Sequence, residues 1–158
     1  MSKLQEKKMQ RLYELLSGDL CYIHGEKESG PNGEKKDYLR IGKAFLKELA
    51  KDLGLADVKL GTMPGGIAVA GEVSLMGNWG KGNGLYVMLH QSNSFYPAPR
   101  VLYRSLHDEC KATSGNKCYL ESGYFEHQDY NGFLRALLFN KERGELRLAK
   151  EQKYADAA

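Results

Sequence analysis

The chain has 158 residues and a nearly balanced charge, with 23 basic and 20 acidic side chains. Its 42% hydrophobic and 27% charged content is typical of a globular protein. The length fits one domain covering residues 1–158, and a net charge of +3 is too small to demand a nucleic-acid partner. No apolar run approaches the roughly 20 residues that span a bilayer, and the charged N-terminus lacks the apolar region of a secretory signal. We therefore expect a cytoplasmic protein without a membrane partner.

The first half of the sequence predicts two amphipathic helices. Residues 3–16 carry a loose apolar stripe, and Gly18 marks its end. Residues 20–23 read as a short strand or an apolar plug, and the Gly-, Glu- and Lys-rich stretch 24–37 reads as a mobile surface loop.

The second helix is predicted from its capping residue and its apolar stripe. Asp37 is a suitable N-cap, and the helix then runs from 38 to about 53. Its apolar residues recur at steps of three and four, at Tyr38, Ile41, Phe45, Leu49 and Leu53. Another face carries Lys43, Lys47 and Lys51, which we interpret as a solvated surface, with a face for an anionic partner as the alternative.

The middle of the chain predicts consecutive strands. A first strand covers residues 57–60 and a turn covers 61–66, and the three main strands follow at 67–75, 85–91 and 101–106. The glycine-rich stretch 77–84, which includes Trp79, is predicted to be a hairpin loop. Residues 92–99 and 107–117 are predicted to be connections, with a short fifth strand at 117–120.

The last part of the chain predicts one helix. Asp129 caps residues 130–141, whose apolar face is Phe133, Leu134, Leu137 and Leu138. Gly144 is expected to break the helix, and the tail, about 152–158, is expected to fray. The fold prediction is thus α+β: an antiparallel β-meander of about four to five strands, with two N-terminal helices and one C-terminal helix packed on one face.

The alternation of side chains along these strands predicts a polar face opposite the core. Glu72, Tyr86 and His90 share that face, and Arg104 joins them if the register of strand 101–106 allows it. The alternative is an ordinary solvated sheet face with an incidental ion pair. The predicted binding residues, on this face and in the neighbouring loops, are Glu72, Tyr86, His90, Tyr103, Arg104, Lys111 and Asn116.

Two kinds of chemistry are weighed against simple binding. His107, Cys110, Cys118 and His127 are the donors that tetrahedral zinc prefers, but they lack the tight Cys-x2-Cys spacing, so we expect no metal and no cofactor. Free thiols, or a disulfide between Cys110 and Cys118, are the alternatives. An enzyme would use Glu72, His90 and Arg104, or a Cys/His pair that includes Cys21 or Cys110.

Nucleic-acid binding has some support in the composition. The chain has 10 Tyr against 5 Phe and 1 Trp, and several of these aromatics interleave with Lys and Arg between residues 79 and 119. Aromatics that stack on bases, next to a basic track, are the combination that single-strand binders use. The balanced charge speaks against this hypothesis.

Three short motifs carry a resemblance to other proteins. The sequences GGIAVAGEV at 65–73, LYV at 85–87 and VLYR at 101–104 resemble a group of small uncharacterised bacterial proteins associated with plasmids and phages. Residues 105–117 depart from the pattern of that group. The resemblance implies no known activity, and it favours an accessory or counter-defence protein of a mobile element.

The sequence is therefore interpreted as a non-catalytic binding module that acts on a protein or a nucleic acid. A single-stranded nucleic-acid binder and a small enzyme are the two alternatives. The partner's identity and the oligomeric state are left open.

Overall fold

The structure is a computed structural model that describes residues 2–17, 34–66, 69–90, 100–106, 118–120 and 123–157. Four helices and five strands occur in these ranges, and they are listed here in chain order: α1 Ser2–Ser17, α2 Glu34–Leu53, β1 Ala56–Gly66, β2 Val69–Gly80, β3 Asn83–His90, β4 Arg100–Leu106, β5 Cys118–Leu120, α3 Gly123–Glu126 and α4 Tyr130–Ala157. The predicted segment 20–23 and the connections 92–99 and 107–117 lie outside the described residues.

The strands form one antiparallel sheet in the order β1-β2-β3-β4-β5. Each strand pairs with the next one in sequence, as expected when short links join consecutive strands. The predicted α+β meander, with two N-terminal helices and a C-terminal helix, is confirmed.

One face of the sheet carries the hydrophobic core. Val73 and Leu75 on β2, with Val87 and Leu89 on β3, are completely buried, and they belong to the same cluster as the apolar stripes of α1 and α2 and the first half of α4. We call this the core face and the opposite one the outer face. In the described part of the chain, none of the helices combines the length and the apolar character that crossing a membrane requires.

An aromatic cluster joins the helices to one another. The ring of Phe45 on α2 lies 5.6 Å from that of Phe125 on α3, and 6.0 Å and 5.7 Å from those of Tyr130 and Phe133 on α4. These tilted and edge-on arrangements are the ones that aromatic rings prefer. Helices α2, α3 and α4 are therefore held together through one set of rings.

The glycine-rich stretch 77–84 is mostly strand, which corrects the predicted loop. Lys81 and Gly82 alone form the turn, and Gly82 has a φ of 79°, a left-handed conformation that glycine adopts without strain. Trp79 accordingly lies on β2, where its Nε1 donates a hydrogen bond to the carbonyl oxygen of Leu53 at 2.7 Å. The indole thus satisfies one of the backbone oxygens that the end of α2 leaves unpaired.

Three other predicted boundaries are wrong. Helix α2 begins at Glu34, so Asp37 is not its N-cap. Residues 34–37, which were predicted to belong to the mobile loop 24–37, are part of this helix. Residues 61–66 continue β1 instead of turning. Helix α4 passes through Gly144 and includes the predicted frayed tail up to Ala157.

Removing the hydroxyl groups of two tyrosines in the helical layer is expected to change the free energy of unfolding in opposite directions. Tyr38→Phe should raise the free energy of unfolding by about 1 kcal/mol, because the Tyr38 hydroxyl is buried and finds no hydrogen-bond partner among the described residues. Tyr130→Phe should lower it by about 1–2 kcal/mol, because its hydroxyl donates to Asp52 Oδ2 at 2.5 Å. Urea denaturation at pH 7 measures both changes, and a loss of stability in Tyr38→Phe would contradict the expectation.

The same pair predicts the behaviour at alkaline pH. Burial, reinforced by the negative charge of Glu72, raises the pKa of Tyr38 above its usual range, and burial with the hydrogen bond to Asp52 raises that of Tyr130. A raised folded-state pKa gives stability that is complete below the unfolded value of about 10 and is lost above it. Wild-type stability should therefore fall above about pH 10, and less steeply in either phenylalanine variant.

Candidate binding site

The strand register places the predicted polar residues on the outer face. Glu72 lies opposite His90, and Tyr86 lies opposite Arg104 on its other side. Because alternate residues of a strand share a face, Arg104 lies on the same side of the sheet as Glu72 and Tyr86. The register that the sequence left open is thus the one that puts Arg104 on the outer face.

Glu72, His90 and Arg104 nevertheless do not form one cluster. The residue opposite His90 on β4 is Arg100, whereas Arg104 is four positions further along the strand. At about 3.3 Å per residue and about 4.8 Å per strand, the Cα atoms of Glu72 and Arg104 lie about 16 Å apart. Among the described residues no ion pair joins the two side chains, and the side chain of His90 lies outside the described set.

The outer face is also less polar than the sequence indicated. It carries three methionines, Met63, Met76 and Met88, by the register of β1, β2 and β3. Leu102 and Leu106 on β4 are only 4% and 2% exposed, although they are not part of the main core cluster. The hydroxyl of Tyr86 donates to Met88 Sδ at 3.5 Å, and Nε of Arg104 is buried without a hydrogen-bond partner among the described residues.

The remaining predicted site residues are dispersed or undescribed. Lys111, Asn116, His107 and Cys110 lie outside the described residues, and for Cys118 only the backbone is described, opposite Tyr103. His127 follows α3 and is exposed. Within the described part of the chain, no group of three or more His, Cys, Asp or Glu side chains is placed to hold a metal ion.

A groove on the other side of the sheet brings together a different set of residues. It has a volume of about 590 Å³ and lies between α4 and the edge of the sheet formed by β4 and β5. Two tyrosines, two arginines and a phenylalanine contribute most of its functional groups. Its lining is Tyr103, Leu120, Tyr124, Asp129, Gly132, Arg135, Ala136, Phe139, Asn140 and Arg143. Of the predicted binding residues, only Tyr103 is among them.

Local sequence features hold α4 against this edge. Asp129 caps the helix, since its Oδ1 accepts a hydrogen bond from the backbone N–H of Gly132 at 3.0 Å. Gly132 leaves room for this cap, because a Cβ there would lie 2.3 Å from Asp129 Oδ2. Further along, Ser105 Oγ on β4 donates to Oδ1 of the buried Asn140 at 3.2 Å. The first bond thus fixes the start of α4, and the second ties the helix to β4.

The rim of the groove is basic and aromatic. Arg135, Phe139 and Arg143 follow one another at steps of four on α4, so they share one face of the helix. Phe139 is 59% exposed, and the two arginines take no part in the ion pairs of the described residues. The carboxylate of Asp129, the acidic member of the lining, is occupied as the helix cap. The rim of the groove thus presents the aromatic side chain of Phe139 and the positive charges of Arg135 and Arg143.

Sequence reasoning missed Tyr124, Arg135, Phe139 and Arg143. One signal for Phe139 was present, because it falls outside the apolar face predicted from Phe133 and Leu137. A large aromatic residue on the polar side of an amphipathic helix has no role in the core, and two arginines at four-residue spacing flank it. The groove itself depends on Tyr103 and Leu120, which are distant in sequence from α4.

No protein-family model, curated protein or solved structure matches the chain.

Proposed function

We propose that the chain is a non-catalytic binding module, and that its contact surface is the groove between α4 and the β4–β5 edge. The observation that carries this proposal is the exposure of Phe139, at 59%, on a rim that it shares with Arg135 and Arg143. Exposed aromatic and arginine side chains beside a concave surface have the composition of interface hot spots. The fold does not need Phe139, since the core of α4 is formed by its opposite face.

The chemistry of the lining supports binding over catalysis. A nucleophile or a general base must lie within hydrogen-bond reach of a partner that activates or orients it. Among the residues that line the groove, Asp129 is the carboxylate, and it is engaged with the backbone of Gly132. The tyrosines and arginines are groups that hold a ligand by stacking and charge.

The resemblance of residues 65–73, 85–87 and 101–104 to plasmid- and phage-associated proteins supports a narrower version of the proposal. In that version the module is an accessory or counter-defence protein of a mobile element. Its partner is a macromolecule of the host.

The test compares two single substitutions that remove equally exposed apolar side chains from opposite surfaces. Phe139→Ala changes the groove rim, and Met63→Ala changes the outer face, where Met63 is 61% exposed. In affinity capture from the native host, Phe139→Ala should reduce the retained partner at least tenfold, about 1.4 kcal/mol. Met63→Ala should retain as much as the wild type.

Two results would overturn the proposal. If Met63→Ala abolishes capture and Phe139→Ala does not, the contact surface is the outer face. If the wild type retains nothing above an unrelated protein of similar charge, the binding module itself is rejected. Circular dichroism should show that both variants are folded, because both side chains are exposed.

A further inference from the structure

The exposed face of α4 carries a continuous stripe that extends well beyond the groove. Its members recur at steps of three and four and are all exposed: Arg135, Phe139, Arg143, Leu146, Lys150 and Lys153. We call these six residues the α4 stripe. From Arg135 to Lys153 it spans about 27 Å, at about 1.5 Å per residue. It lies opposite the buried face of the same helix, which is formed by Tyr130, Phe133, Leu137, Asn140 and Gly144.

The charges on this stripe have one sign. Four of the six members are cations, and none of these four takes part in an ion pair among the described residues. The acidic residues of the helix lie beside the stripe or behind it, and Glu151 pairs with Arg147 at 3.6 Å. Lys150 and Lys153 are three residues apart, a spacing at which like charges repel, and the four cations together make this face of the helix positive. Charge complementarity therefore indicates an elongated anion.

The apolar members narrow the class of anion. Phe139 and Leu146 alternate with the cations, and Phe139 stands at the rim of a groove that also contains Tyr103 and Tyr124. A base has a π-face that stacks on such rings, whereas an acidic peptide offers charge without that face. A membrane surface requires a wide apolar face to insert, and this stripe has only two apolar side chains.

The groove favours a single strand over a duplex. In a duplex the faces of the bases are stacked inside, so Phe139 could reach base edges, sugars and phosphates but could not stack on a base. In a single strand, one base can leave the stack and enter the groove of about 590 Å³. The length of the stripe matches about eight nucleotides at a rise of about 3.4 Å each, within the usual range of single-strand sites.

We infer that the α4 stripe binds single-stranded nucleic acid. Arg143, Lys150 and Lys153 contact the phosphates, and Phe139 stacks on a base at the entrance of the groove. This inference rests on the proposed function, since it names the partner of the same surface. It differs from the sequence-based hypothesis, which placed the aromatics on the sheet and its loops.

The test measures fluorescence anisotropy of labelled 12-nucleotide single strands of DNA and RNA, with a 12-base-pair duplex as comparison. The stripe variant is Arg143→Glu/Lys150→Glu. The matched control is Lys43→Glu/Lys47→Glu, which makes the same charge change on the exposed side of α2. The stripe variant should bind at least 30-fold more weakly than the wild type, and the control should change by less than threefold.

Salt separates the phosphate contacts from the stacking contact. With three phosphates contacted, wild-type affinity should fall about 20-fold between 50 and 200 mM salt, as expected from a slope of about −0.7 per phosphate. Phe139→Ala should weaken binding about tenfold at both salt concentrations, because a stacked base contributes without releasing ions. Arg143→Ala should instead reduce the salt slope by about 0.7.

Three outcomes would overturn the inference. The first is that the wild type binds neither single strand at 50 mM salt. The second is that the α2 control loses as much affinity as the stripe variant. The third is that the duplex binds as tightly as the single strands and Phe139→Ala has no effect. Polyglutamate that competes fully with the oligonucleotide would assign the surface to an acidic protein. If oligonucleotides fail but host capture still depends on Phe139, the nucleic-acid inference falls and the proposed function stands; if both fail, both are rejected.

Discussion

Replacing Phe45 by alanine is expected to lower the free energy of unfolding by about 3–5 kcal/mol, the usual loss for a fully buried phenylalanine. Phe45 is 0% exposed, and its ring contacts Phe125, Tyr130 and Phe133. The substitution leaves a cavity where α2 meets α3 and α4, and rigid helices do not collapse into such a space completely. The midpoint of thermal unfolding should fall by about 10 °C or more.

The control for this experiment is the same chemical change at Phe139. That side chain is 59% exposed, so its removal should change stability by no more than about 0.5 kcal/mol. The two substitutions thus distinguish a ring that stabilises the fold, Phe45, from a ring that we assign to binding, Phe139. A cost below about 1 kcal/mol at Phe45 would show that the aromatic cluster does not join the helices as described.

Periodicity in the sequence was sufficient to predict the core. The stripe of α2 places Tyr38, Phe45, Leu49 and Leu53 at buried positions, and the alternation in β2 and β3 separates the buried valines and leucines from the outer face. These patterns are local consequences of the 3.6- and 2-residue repeats. They are readable because each side chain's direction depends mainly on its own element.

Boundaries at glycine could not be predicted in the same way. Gly61 looks like part of a turn, yet a Cβ there would come 2.8 Å from Ser74 Oγ, so this glycine permits close strand pairing in β1. Gly144 looks like a helix break, yet its missing side chain leaves room for the side chain of Asn83 from the sheet. In both cases the reason for the glycine lies on a partner element that is distant in sequence.

The candidate site was the least predictable part. The pairing of Tyr86 with Arg104 could not be derived, because a slip of one residue would have moved Arg104 to the core face. The groove was not predictable either, since its two walls come from β4–β5 and from α4. What the sequence did contain was Phe139 on the polar side of a helix, and that residue now carries the functional proposal.

Gly144→Ala is expected to destabilise the protein by about 1–3 kcal/mol, the usual cost of overpacking, although alanine is the better helix former. A Cβ at Gly144 would lie 1.9 Å from Asn83 Oδ1. The Asn83 side chain has little freedom to move, since it is only 6% exposed and its Nδ2 donates to the carbonyl oxygen of Lys141 at 3.1 Å. The added methyl group should break this contact between the β2–β3 hairpin and α4.

The sign of the effect should reverse when the obstacle is removed. In an Asn83→Ala background the space beside residue 144 is open, so Gly144→Ala should be neutral or stabilising, by up to about 1 kcal/mol from helix propensity. Urea denaturation of the four proteins gives the coupling energy directly. Stabilisation by Gly144→Ala in the wild-type background would show that Asn83 does not occupy this position. The expected reversal would show instead that α4 contacts the β2–β3 hairpin at Gly144, and that glycine is needed there to make room for the Asn83 side chain.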